Sequence, residues 1–169
     1  NVATGVLGRM ADVLSRGGSG GEAAYKARAY SLDGMVKMLE GERVPVVLDK
    51  SGVVSFEHQA ELGEALSNLT LSGGSSRSYR SVFGETWAQQ LSDSLGTSQT
   101  LSAATSGVSL STSFPSDTLG QQFEQVARVI GARSTLQEER QVFFVKASGF
   151  DSHASLKDQV DANFQKIDD

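Results

Sequence analysis

The segment QVFFVKASGFDSHASL, residues 141–156, decides the fold of this chain. Its first half carries an apolar run over 142–145, which has no polar alternation and stands between two stretches with helical spacing. A strand of this kind is typical of a sheet that helices cover on both sides. We therefore predict an α/β fold in which 142–145 is a buried, inner strand.

An aspartate and a histidine, Asp151 and His153, follow this strand. In open α/β sheets, ligands bind beyond the carboxyl ends of the strands, and Gly149 frees the backbone to bend sharply there. A carboxylate and an imidazole two residues apart can both reach one borderline cation such as Zn²⁺. In the alternative interpretation, Asp151 caps the final helix or holds the turn, and His153 is an exposed polar residue. The other histidine, His58, has no acidic partner at ligand spacing and is interpreted as a surface or helix-entry residue.

Towards the amino terminus, the pattern predicts a helix and a pair of strands. Apolar residues at helical spacing indicate a helix that begins near Thr4 and ends at Gly17. A short strand over 44–48, a turn over 50–52 and a second strand at 53–54 follow. These elements extend the sheet on the amino-terminal side of the deciding segment.

The middle of the chain predicts two helices with a long connection between them. The first helix carries aromatic and apolar residues at four-residue steps, a stripe expected to lie in the core: Tyr79, Phe83, Trp87 and Leu91. Residues 94–118 are rich in serine and threonine, which predicts a long connection with a short strand near 108–110. The second helix covers 119–133, with Gly131 near its end and Ser116 or Thr118 as its cap. A last helix starts near Ser155 and places its apolar residues on one face: Leu156, Val160, Phe164 and Ile167.

Composition limits the class of protein. The 169 residues are 38% hydrophobic with a formal net charge of -5, which indicates one globular domain and argues against nucleic acid as a partner. No apolar stretch is long enough for a transmembrane segment, and the absence of cysteine rules out disulfides and thiolate ligands. The chain opens on Asn1 and stops at Asp169 inside a helical pattern. We therefore expect residues 1–169 to be a fragment of a single domain, whose first partner is the remainder of its own chain.

The carboxyl-terminal third resembles a family of mostly exported, functionally unassigned proteins within the alkaline phosphatase and sulfatase-like superfamily. The helix of the resemblance is matched by Leu119, Phe123, Val126, Ala127 and Ile130. The family's Gly-Phe-Asp-Thr-His motif is matched by Gly149, Phe150, Asp151 and His153, with Ser152 in place of threonine. Looser similarity extends over most of the chain.

The resemblance implies a mixed-sheet α/β/α sandwich of the alkaline phosphatase-like type and a metal-dependent phosphate or sulfate ester hydrolase. Asp151 and His153 would be two ligands of one divalent cation, zinc or similar. The remaining ligands would lie outside residues 1–169, so the site is incomplete in this segment. The resemblance also implies export, to the extracellular space or the periplasm. The alternative is a non-catalytic structural or interaction protein with the same fold, which would contact other subunits of an extracellular or membrane-associated assembly.

Overall fold

We describe the protein from a computed structural model, which describes residues 4–16, 26–53, 82–151 and 154–168. The described helices are α1 (Val6–Arg16), α2 (Val82–Ser106), α3 (Thr118–Gly131), α4 (Arg133–Leu136) and α5 (Leu156–Asp168), with a 3-10 turn at Lys37–Leu39. The strands are β1 (Ala27–Ser31), β2 (Val46–Asp49), β3 (Gly52–Val53) and β4 (Arg140–Phe144).

The four strands form one mixed sheet in the order β3-β2-β1-β4. β1 pairs in parallel with both β2 and β4, and β2 pairs antiparallel with β3. The α/β class is therefore confirmed, as are the strand in 44–48, the turn over 50–52 and the strand at Val53. The central strand β1 was not predicted.

Helices lie against both faces of this sheet. On one face, α1 and the 3-10 turn bury Ala11, Ala29 and Leu39. On the other face, α2, α3 and α4 pack around Tyr30, with Leu32, Leu48, Leu101, Ala104, Val129, Ala132 and Leu136. Because consecutive residues of a strand point to opposite faces, Ala29 and Tyr30 belong to different cores. The predicted cover on both sides is present.

β4 forms a strand, as predicted, and pairs in parallel with β1, but its predicted inner position is wrong for the described sheet. It is the last strand in the order, and its apolar residues are half-buried rather than buried. Val142 and Phe144 pack towards the α1 core, whereas Phe143 and Val145 pack towards the core under α3. An unbroken apolar run therefore indicates that both faces of the strand are covered by helices. A strand at the edge of a sheet can also be covered on both faces, so the run does not predict an inner position.

Most of the predicted connection over 94–118 is helical. α2 continues to Ser106, and only 107–117 joins it to α3. Hydroxyl groups do not interrupt the helix because they bond to its own carbonyls: Thr105 Oγ1 donates to the Leu101 carbonyl at 2.8 Å. No strand forms near 108–110. The cap of α3 is Asp117, which accepts a bond from the Gly120 N–H at 2.7 Å, instead of Ser116 or Thr118.

The aromatic residues of α2 that the structure describes do not lie in the core. Phe83 is 87% exposed and Trp87 is 56% exposed, whereas α2 buries Ala88, Leu101 and Ala104. The expectation of a core stripe is therefore wrong for these two aromatic residues; Tyr79 lies outside the described residues.

α5 forms as predicted, but none of its residues is buried. Leu156, Phe164 and Ile167 are exposed, and Val160 is half-buried. Among the described residues, no helix combines the length and the apolar character that crossing a bilayer requires.

Candidate functional site

The carboxyl ends of β1 and β4 lie side by side, because the two strands are parallel and in register from Ala27 with Arg140 to Ser31 with Phe144. The Leu32 N–H extends the ladder by donating to the Phe144 carbonyl at 2.9 Å. The segments that follow the two strands therefore leave the sheet at the same edge, which is where parallel sheets bind ligands.

An ion pair joins these two segments. Lys146 Nζ, after β4, lies 3.1 Å from Asp33 Oδ2, after β1. The Lys146 backbone N–H donates to Gln122 Oε1 at 3.2 Å, and Gln122 is a buried residue of α3. Gln122 thus holds the start of the loop, while the pair itself is solvent-exposed and stabilises the fold by at most about 1 kcal/mol.

The loop carrying the predicted metal ligands is held against α5. Gly149 has a φ of +94°, a conformation that glycine adopts without strain, as expected at this position. Its carbonyl accepts a bond from Asn163 Nδ2 at 2.6 Å, and the rings of Phe150 and Phe164 meet edge to face at 5.9 Å. Asp151 follows as an exposed residue.

His153 and Ser152 lie outside the described residues, as does His58. Pairing of Asp151 with His153 therefore stays a prediction. Within the described ranges, no group of three or more His, Cys, Asp or Glu side chains is placed to hold a metal ion. Asp33 and Lys146 were not predicted, although both are charged residues that come two positions after the end of a strand.

Asp49, at the carboxyl end of β2, is part of a turn. Its Oδ1 accepts bonds from the Ser51 hydroxyl at 2.6 Å and from the Ser51 N–H at 2.9 Å. The side-chain bond, and then the backbone bond, hold the pKa of Asp49 below its usual value. This geometry explains Asp49 as the residue that shapes the β2–β3 hairpin.

A second cluster lies at the opposite, amino-terminal edge of the sheet around the buried carboxylate of Glu138. Tyr30 donates its hydroxyl proton to Glu138 Oε2 at 2.7 Å, and Gln141 Nε2 donates to the same oxygen at 2.9 Å. Arg28 Nε lies 3.6 Å from Glu138 Oε1. Sequence reasoning missed this cluster because Glu138 stands in STLQEER, a stretch whose composition predicts a solvated turn.

Tyr30 should make stability sensitive to alkaline pH. Burial, and then the bond to Glu138, raise the pKa of the Tyr30 phenol well above its ordinary value. Because the folded pKa is raised, this contribution is complete below the unfolded pKa of about 10 and is lost as the pH rises above it. The free energy of unfolding should fall there by up to about 1.4 kcal/mol per pH unit.

The measurement is urea unfolding, followed by circular dichroism, between pH 8 and pH 11 for the parent and for Tyr30→Phe. We expect the parent to lose more stability than the variant above pH 10. Parallel curves would contradict the assignment of a buried, protonated phenol.

The described residues form a small mixed α/β domain with helices on both faces of a four-stranded sheet. Comparisons with protein-family models, with curated proteins and with solved structures found no match for this chain.

Proposed function

We propose that this chain is part of a metal-dependent phosphate or sulfate ester hydrolase-like protein of the alkaline phosphatase-like type. In this proposal, Asp151 and His153 are ligands of a divalent cation such as Zn²⁺. The main support is the parallel pairing of β1 and β4, since it brings the Asp151 loop to the carboxyl edge of a sheet, where ligands bind in this class. The resemblance of the Gly149–His153 motif supplies the reaction class.

The donor set suits such a cation only in part. A carboxylate oxygen and an imidazole nitrogen are ligands that Zn²⁺ accepts, and a zinc site needs at least three protein ligands. Since the described residues contain no group of three donors, the other ligands would come from elsewhere in the complete protein. When bound, the cation would supply Lewis-acid stabilisation of the ester oxygens. Lys146, held at the same edge, is a cation that can attract an anionic ester.

Replacement of either predicted ligand should weaken metal binding. Removing a group that merely supports a ligand lowers metal affinity about 10- to 100-fold, so His153→Ala and Asp151→Asn should each lower zinc affinity at least tenfold. The measurement is calorimetric zinc titration of the complete protein, with hydrolysis of p-nitrophenyl phosphate and p-nitrophenyl sulfate as the activity readout.

His58→Ala is the matched control, because His58 is the chain's only other histidine. It should bind zinc and hydrolyse ester as the parent does. Zinc affinity that is the same in the parent and in His153→Ala would refute the assignment.

A non-catalytic interaction protein is the second candidate, and the exposed apolar helix faces favour it. Phe83 and Trp87 on α2, and Leu156, Phe164 and Ile167 on α5, are large apolar side chains in contact with solvent. Exposed apolar surface of this kind is typical of protein contacts. Full-length protein without zinc affinity or ester hydrolysis would support this candidate over the hydrolase.

A further inference from the structure

A groove runs between α2 and the sheet, on the side away from α1. It has two parts, of about 570 and 520 Å³, which share Arg28, Asp93 and Thr97 in their walls. We name it the α2 groove. Each part lies within the usual range of small-molecule sites, about 300–1,000 Å³.

One part of the α2 groove is apolar. Its wall on the sheet side is formed by a row of aliphatic side chains, together with a methionine: Met35, Val44, Pro45, Val46, Val47 and Val53. Val44 and Met35 are largely exposed to solvent. An apolar ligand that covers these side chains would be stabilised because it removes their surface from water.

The other part is polar and contains the Arg28 guanidinium, which forms an ion pair with Glu138. Arg28 Nε lies 3.6 Å from Glu138, too far for a hydrogen bond. The Glu138 carboxylate instead accepts its bonds from Tyr30 and Gln141. Among the described residues the Arg28 guanidinium makes no hydrogen bond, and its side chain is 31% exposed. Its planar set of N–H groups suits a carboxylate or a similar oxyanion.

The charge around the α2 groove also favours an anion. Of the residues that the structure describes, three basic ones line it, Lys26, Arg28 and Arg43, against two acidic ones, Asp93 and Glu138. This excess of positive charge stands out in a chain whose net charge is -5. Of the two carboxylates, Asp93 accepts from Gln89 Nε2 at 2.8 Å, and Glu138 is already paired as described.

The wall of the groove that α2 forms is lined by small residues. Ser92, Gly96 and Thr100 come from successive turns of α2, and Thr97 lies beside them. A Cβ added to Gly96 would meet no atom within 4 Å, so the space in front of it is open. The hydroxyls of Thr97 and Thr100 can donate to a ligand that reaches Arg28.

We infer that the α2 groove binds an apolar chain ending in a small oxyanion, with the head group at Arg28 and the chain along the aliphatic wall. Arg28 lies on β1 towards its amino end, whereas the Asp151 loop follows the carboxyl end of β4. The inference is therefore independent of the proposed hydrolase function, and either can fail without the other.

Decanoate is the probe, and isothermal titration calorimetry is the measurement. The parent should show saturable binding of one decanoate per chain. Gly96→Leu places a side chain in the open space and should weaken that binding at least tenfold while keeping the fold by circular dichroism. Ser102→Leu adds the same side chain at an exposed position of α2 outside the groove, and should bind decanoate as the parent does.

The head group is tested with decanol, decanesulfonate and decyltrimethylammonium. Decanol and the ammonium should bind at least tenfold more weakly than decanoate, because they cannot accept from Arg28 as an oxyanion does. If decanesulfonate binds as tightly as decanoate, the site recognises oxyanions in general. If it binds more weakly, the site recognises a carboxylate specifically. The inference is overturned if the parent shows no saturable decanoate binding, if Gly96→Leu binds like Ser102→Leu, or if decanol matches decanoate.

Discussion

Gly8→Ala is expected to lower the free energy of unfolding by about 3 kcal/mol or more. Gly8 is buried on α1, where this helix meets the backbone just after the 3-10 turn. A Cβ at position 8 would overlap the Glu40 carbonyl and lie 2.6 Å from the Gly41 nitrogen, a separation that real Cβ atoms do not show. Because the obstacle is backbone and not a flexible side chain, α1 must move away from the segment that it packs against.

Gly96→Ala is the control, since Gly96 is also a glycine within a helix. Its added Cβ meets nothing within 4 Å, so alanine should raise stability by about 0.5–1 kcal/mol through its higher helix propensity. Urea unfolding of the parent and both variants, followed by circular dichroism, measures the difference. Opposite signs for the two substitutions are expected, and equal gains would show that α1 does not approach residues 40–41 as closely as described.

These glycines show how far the sequence predicts the amino-terminal region. Apolar spacing predicted α1 correctly, with an end next to Arg16. The apolar spacing does not explain Gly5 and Gly8, because glycine has a low helix propensity and is unfavourable inside or beside a helix. Their reason is tertiary: a Cβ at position 5 would overlap the Lys37 carbonyl and one at position 8 the Glu40 carbonyl, and no local pattern contains these contacts.

The central strand β1 could not be predicted because its sequence, ARAYS, is not hydrophobic enough to indicate a buried strand. Ser31 is fully buried in spite of its hydroxyl, and Arg28 is half-buried. The burial of both residues follows from the pairing of β1 with β2 on one side and with β4 on the other. Conversely, the apolar run of β4 predicted a strand correctly but not its place at the edge, since the order of strands depends on partners far along the chain.

Only part of the candidate site could be predicted. Asp151 and His153 were predicted as ligands from their position after a strand, and this pairing stays a prediction, whereas Asp33 became part of the same edge only once β1 was known. Burial of Glu138 depends on Tyr30, 108 residues away. The charged residues of this protein therefore divide into those that a local pattern identifies and those that tertiary contacts alone identify.

Glu138→Ala is expected to lower the free energy of unfolding by about 3 kcal/mol, the second large effect. Removing one member of a buried charged cluster costs about 3–5 kcal/mol when its partners are left without a counterpart. Here the buried Tyr30 hydroxyl loses its acceptor, Gln141 loses another, and Arg28 loses its nearest carboxylate. The lower end of the range applies because the Arg28 side chain is about one-third exposed and keeps part of its hydration.

Glu139→Ala is the matched control, since Glu139 is the adjacent glutamate and is exposed; its effect should stay within about 0.5 kcal/mol. A double-mutant cycle then isolates the Tyr30–Glu138 contact. Once Tyr30 is phenylalanine, there is no phenol to leave without an acceptor, so Glu138→Ala should cost about 1 kcal/mol less than it does in the parent. Additive effects of Tyr30→Phe and Glu138→Ala in urea unfolding would contradict a direct bond between the Tyr30 hydroxyl and the Glu138 carboxylate.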